Sequence, residues 1–252
     1  MSSSAYPLFP PGLWRRIVLY PGAGWIGGAL EDDMHHFHIR LDHAHGRITT
    51  VHARAVRHPW TACSGAAPHI AAELEGELLA DVAARDPSLQ CTHLFDLAVV
   101  TAAHAGDTRP TVFDMQVADR VDDRTTATLS QDGTERLRWQ LDGTIIDGPE
   151  RFAGRDIKRV SKWRSEYPPE EAEWATLLRR AIFIAPGRIY EPPFGQRAAE
   201  MGPMRMGVCY NYQLPQAEES TPIFDRRDFS MSGKQPLGEV DPELAFVELA
   251  DG

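Results

Sequence analysis

The stretch DDMHHFHIRLDHAHGRI, residues 32–48, decides how the first half of the chain folds. From Met34 to Asp42 the side chains alternate. Phe37, Ile39 and Leu41 fall on one face and His36, His38 and Arg40 on the other, which is the two-residue period of a strand. HAHGR then supplies a turn in which Gly46, lacking a Cβ, is free to take a positive φ. Residues 47–58, RITTVHARAVRH, return as the partner strand, with Val51, Ala53 and Ala55 on one side. Upstream, LWRRIVL (13–19) and the run WIGGALE beginning at Trp25 read as short strands about the YPGAG turn. The expectation is a three-stranded antiparallel meander.

The pattern changes at RHPWTACSGAAPHI, residues 57–70. A strand ends, Cys63 stands at the corner, and Pro68 fits the first turn of a helix in which Ile70, Ala71 and Leu74 keep helical spacing as far as Gly76. ELLADVAARD suggests a second short helix. LQCTHLFDLAVVTAAHA (89–105) suggests a strongly apolar third, with Cys91 at its start and Gly106 and Pro110 ending it. Strand signals resume in TVFDMQVADR, RTTATLSQD and TERLRWQLDGTII, punctuated by QDG and LDGT turns. PPEEAEWATLLRRAIFIA (168–185) has the order of a helix, with prolines and acids first and Trp174, Leu177, Leu178 and Ile182 following. The remainder is rich in Pro, Gly and Met. Its acidic end from Gln213 has little periodicity and is expected to wrap the surface or stay partly disordered.

The expected fold class is therefore α+β: the meander packed on helices, then a second small antiparallel sheet with a helix. The expected halves are residues 1–106, carrying the candidate site, and 107–252, packed on the first. A net charge of −10 argues against nucleic acid and anionic membrane surfaces as partners. No apolar run is long enough to span a membrane. The opening MSSSAYPLFPPGLWRR lacks the order of a secretion signal, so a cytoplasmic address is expected. Three cysteines, Cys63, Cys91 and Cys209, are too few and scattered for a disulfide framework. All 10 histidines lie between His35 and His104, which marks the first half as the chemical one.

The order of strands, cysteine corner, helix, short helix, cysteine and helix resembles iron–sulfur cluster scaffold proteins of the NifU/IscU type over about residues 24–105. The matching pieces are DDMHHFHIRLDHAHGRI, WTACSGAAPHIAAELEG and QCTHLFDLAVVTAAHA. Within that group the chain is more similar to the bacterial domain of unknown function 2889 family, sharing Asp33, Met34, Cys63 and CTHL, Cys91 to Leu94. It departs in having Asp32 where that family usually has histidine. The later GVCYNYQ and RRDF resemble its longer members.

The scaffold likeness implies a metal held by Asp33, Cys63 and Cys91, with the remaining scaffold cysteine falling near Glu31. That missing thiolate disfavours an iron–sulfur cluster and suits a zinc-like divalent ion with Glu31 or an imidazole added. His93, two residues beyond Cys91, lies about 200° round a helix from it and joins the same site only if the helix begins late. Chemistry without metal is equally open. Cys63 at a helix start has its thiolate favoured by unpaired amides, and Asp33 with His93 would make an acid/base pair.

Plainer alternatives stand beside these. Cys63 and Cys91 are buried side chains of the core, His36 and His38 belong to a solvated sheet face, and His104 needs no function beyond the helix dipole. The leading expectation is an enzyme, a lyase or a related carbon–carbon or hydrolytic enzyme of bacterial catabolism. Its catalytic residues are Asp33, Cys63, Cys91 and His93. His36, His38, Trp25, Phe37 and Trp60 line a site for a small, partly apolar or aromatic substrate. The alternative is a carrier of metal, sulfur or an iron–sulfur cluster. A swapped C-terminal arm in a homodimer is compatible with either.

Overall fold

The structure, a computed structural model, describes Phe9 and residues 11–251. Residues 1–8 and Pro10, on which much of the reading against a secretion signal rests, lie outside the described residues. The fold is α+β. Among the described residues there are eight strands: β1 (Gly12–Gly22), β2 (Trp25–Glu31), β3 (His36–Ala44), β4 (Arg47–Arg57), β5 (Thr111–Ala118), β6 (Arg124–Gln131), β7 (Thr134–Asp142) and β8 (Ile145–Gly148). They form one sheet in the order β4-β3-β2-β1-β5-β6-β7-β8. The strands after residue 107 therefore do not build the second sheet expected of them. β1 stands between β2 and β5, so neither is left with an unpaired edge. No described helix is long and apolar enough to cross a membrane.

The compact units are interleaved rather than consecutive halves. One gathers the described residues as far as Arg16, Val112–Tyr190 and Asp228–Pro236, and the other Ile17–Thr111, Glu191–Arg227 and the described residues from Leu237 onward. In the first, β5 to β8 pair antiparallel in sequence order, and the helix Pro169–Ile184 lays Leu177, Leu178, Ala181 and Ile182 against β6 and β7. Trp139 meets Phe152 and Trp163 edge to face, Trp163 meets Tyr167 the same way, and Phe152 stacks on Tyr167. Arg188 is held there by both Asp119 and Asp228.

In the second unit β2, β3 and β4 pair antiparallel, with Gly28 beside Ile39 and Ala29 beside His38. The β3–β4 turn has His45 at φ 52° and Gly46 at φ 75°, the paired positive values of a tight hairpin turn. Phe37, Ile39 and Leu41 are fully buried on the face covered by α2 (Thr92–Ala103), while α1 (Ala66–Leu74) packs on β4. The expected helix over 89–105 is therefore shorter at both ends. ELLADVAARD forms a short helix of the tighter 3-10 kind, Leu79–Ala84.

The opposite face of β3 is covered as well. The helix Pro242–Asp251 rests on β3 and β4, with Phe246 0% exposed. Its ring fills the notch left by Gly27, whose Cβ, were it present, would stand 2.4 Å from the ring. On the other face a Cβ at Gly28 would meet Thr101 Oγ1 at 2.1 Å. The tail expected to be irregular thus ends in a docked helix, anchored by Phe246 and Leu249. Two anchors in so short a helix leave little periodic signal to read.

Adding the Cβ in Gly27→Ala should lower the unfolding free energy by about 1–3 kcal/mol through overpacking. Phe246→Ala alone should cost about 3–5 kcal/mol. In urea melts the double variant should be no less stable than Phe246→Ala. Strict additivity of the two losses would show that the notch and the ring do not meet.

Candidate functional site

The candidate site is built on the four residues between β2 and β3, Asp32 to His35. Asp32 N–H donates to the His35 carbonyl at 2.8 Å, which closes the chain into a tight turn. The Asp32 carboxylate then collects donors from inside that turn. Oδ1 accepts from Met34 N at 2.9 Å and from His35 N at 2.8 Å. It also lies 2.9 Å from His35 Nδ1, with Oδ2 at 3.2 Å. Asp32 is 0% exposed and His35 4%. An ionised carboxylate only accepts, so Nδ1 is the ring nitrogen that donates to it.

His93, near the start of α2, stacks on His35 with ring centroids 3.6 Å apart and an interplanar angle of 23°. Phe37 lies parallel to His93 at 6.3 Å and completes an aromatic slab. His58 is half-buried, and its Nδ1 lies 2.9 Å from the Trp60 carbonyl, which accepts its proton. Burial lowers the pKa of His58, the Trp60 carbonyl opposes that, and the charge of His35 lowers it further. His35 thus lies inside, with His58 and His93 half-buried near it.

Of the residues expected to be catalytic, His93 joins this group. Cys91 caps α2 in extended geometry, so the helix does begin late, and its thiol faces the backbone amides of His93 and Leu94. Asp33 is buried, and its carbonyl accepts from Arg57 Nη1 at 2.7 Å and from Arg227 N at 2.9 Å. The carboxylate of its neighbour, Asp32, lies on the His35 imidazole. Cys63 sits in the tight turn Thr61–Gly65, within a cluster of Trp60, Ala198, Tyr212 and Ala217 against which Cys209 packs. Tyr210 N donates to the Gln90 carbonyl at 2.9 Å, bringing Cys209 toward Cys91 as well.

All three thiols therefore share a neighbourhood. Burial pushes Cys63 well above the usual thiol range, with Cys91 and Cys209 adding to the rise. Burial likewise pushes Cys91 up to about 12, against the opposing pull of the Leu94 amide. Desolvation outweighs helix-start stabilisation at both, so neither is a ready thiolate near neutral pH. Among the described residues no group of three or more His, Cys, Asp or Glu is arranged to hold a metal ion, Asp33, Cys63 and Cys91 included.

The residues expected to line one substrate pocket are divided. Strand alternation sends Phe37 to the α2 face and His36 and His38 to the face under Phe246. Trp25 lies on the latter face, stacked by Tyr20 and capped by Arg40 at 4.5 Å. Trp60 packs on Tyr212 in the thiol cluster. The polar face of β3 is not solvated. His36 Nε2 and His38 Nε2 are 2.8 Å apart, and Glu31 Oε1 is 3.7 Å from His36 Nδ1. Burial first, then Arg57 and Arg227, lowers the pKa of His36 to about 4. Burial, then His36 and Arg54, lowers that of His38 to about 3. Both are neutral at pH 7, and one donates to the other.

The sequence assigns His35 and His58 no role, marks Asp32 only as a departure from the family's histidine, and shows Cys209 only as one of three scattered thiols. An Asp followed three residues later by a His at a strand entry is the one local signal that points to Asp32 and His35. Comparison of the chain with family models, curated proteins and solved structures gives no match.

In the unfolded chain His36 and His38 take up protons near pH 6.5, whereas the folded chain resists to about 4 and 3. The folded state thus binds fewer protons, and stability present above pH 6.5 is lost as pH falls. Between pH 6 and 5 the unfolding free energy should drop by up to about 2.7 kcal/mol per pH unit. The His36→Gln/His38→Gln double variant should flatten that slope, and an unchanged slope in urea melts would rule the pair out as its cause. Native protein at pH 8 should show Cys63 and Cys91 inert to Ellman's reagent until urea is added. Fast native labelling of either, located by peptide mapping, would contradict their burial.

Proposed function

We propose that the chain is an enzyme acting on a small, partly apolar molecule, with His35 as its general base and Asp32 as the group that holds it. The observation that carries this reading is the buried Asp32 carboxylate 2.9 Å from His35 Nδ1. A carboxylate behind an imidazole fixes the tautomer, aims Nε2 and stabilises the cation that forms when Nε2 takes a proton. The aromatic slab of Phe37 and His93 beside it favours a partly apolar or aromatic substrate. His93 and His58 supply a second imidazole to return the proton. A base so placed serves proton abstraction from carbon in a lyase and from water in a hydrolase. The likeness to the domain of unknown function 2889 family supports a related fold and adds no chemistry.

Asp32→Asn tests this directly, because the amide presents an N–H to Nδ1 and drives the imidazole to the wrong tautomer. On whichever ester, lactone or hydroxy acid of a screened panel the native protein turns over, kcat should fall about 10²–10⁴-fold with the fold intact by circular dichroism. His35→Gln should fall as far. A folded variant of either kind with native kcat refutes the assignment.

A second reading, a carrier of sulfur or a soft metal, is favoured by the gathering of Cys63, Cys91 and Cys209. Loading would require the buried Cys63 and Cys91 and the half-buried Cys209 to lose their protons and draw together. Acid-labile sulfide or bound metal in freshly purified protein, lost in Cys209→Ser, supports this reading over the first.

A further inference from the structure

We infer that Arg57 is the positioning residue of the Asp32–His35 pair, an assignment that rests on the proposed role of that pair. Arg57 is the last residue of β4, set opposite His36 by an irregularity in the β3–β4 register between His36 and Phe37. It is 4% exposed. Its guanidinium reaches three acceptors on three consecutive residues: Nη1 donates to the Asp33 carbonyl at 2.7 Å, and Nη2 to the Asp32 carbonyl at 2.7 Å and to Glu31 Oε1 at 2.9 Å. Those residues lead straight into the turn that carries the carboxylate and the imidazole.

From the other side Arg227 N donates to the Asp33 carbonyl, and Leu237 N donates to Glu31 Oε2 at 2.6 Å. The corner is thus held in a rigid frame. A buried ion pair is poor value as stabilisation alone, since apolar replacements of equal volume do as well or better. What a planar fork gives that they cannot is a fixed direction for several acceptors at once. The direction matters here because the Asp32 carboxylate must meet Met34 N, His35 N and His35 Nδ1 together. A displacement near 1 Å breaks that convergence, and an error of about that size costs catalysis about 10²-fold.

The test compares variants that separate charge from direction, read by 15N spectra of the histidine rings. Arg57→Lys keeps a cation beside Glu31 but offers a single ammonium, which cannot span both carbonyls and the carboxylate. It should replace the single Nδ1–H tautomer of His35 with a mixture. Glu31→Gln removes the ion pair, leaves the two carbonyl bonds, and should keep the native His35 spectrum. Should Arg57→Lys fail to fold, the Arg57→Met/Glu31→Leu double variant, which leaves no buried charge unpaired, should show the same tautomer mixture. A native His35 spectrum in folded Arg57→Lys or in the double variant overturns the positioning role, while a changed spectrum in Asp32→Asn leaves the pair itself standing. An unchanged His35 spectrum in Asp32→Asn overturns the pair and the positioning role with it.

Discussion

A carboxylate taken wholly out of water must find donors or lose its charge, and at Asp32 that need shapes the whole corner between β2 and β3. Its donors include two backbone amides and one imidazole within three residues. Satisfying them forces a tight turn, and the turn fixes where β3 begins. Where β3 begins decides which of the clustered histidines face which way. His35 falls in the turn, His36 and His38 on one face, and Phe37 on the other. The turn and the placing of the histidines are here set by the same three hydrogen bonds.

The second constraint is that β2 and β3 are covered on both faces. WIGGALE carries its two glycines at adjacent positions, and each accepts a different neighbour, Phe246 at Gly27 and Thr101 at Gly28. A side chain at either would hold off one layer. Two-sided coverage also explains why His38 is buried and His36 half-buried on a polar strand face. His36 and His38 stay neutral because their surroundings are desolvated and flanked by Arg54, Arg57 and Arg227. Their mutual hydrogen bond is what neutral imidazoles without water can still make.

Much of the second unit is legible in the sequence. The alternation of Phe37, Ile39 and Leu41, the Gly46 turn and the apolar run after Cys91 each report a local preference, and each element is found. The site is legible only in part. Asp32 and Asp33 are identical in type, and only the turn, not the composition, says which carboxylate meets an imidazole. Cys209 lies more than a hundred residues from Cys91, so no local pattern joins them. The interleaved units are hidden for a related reason. β1 contributes to both, and the returning segments after Tyr190 carry short turns rather than periodic runs.

Glu31 divides its two oxygens between partners that enter the chain at very different times. Oε1 meets Arg57, whereas Oε2 waits for the amide of Leu237. During synthesis β2 and the hairpin of β3 and β4 leave the ribosome early, but the buried acid at the end of β2 lacks its second partner until residue 237 has emerged. The frame about Asp32 and His35 therefore gains this bond only once a residue 206 positions further along the chain is available.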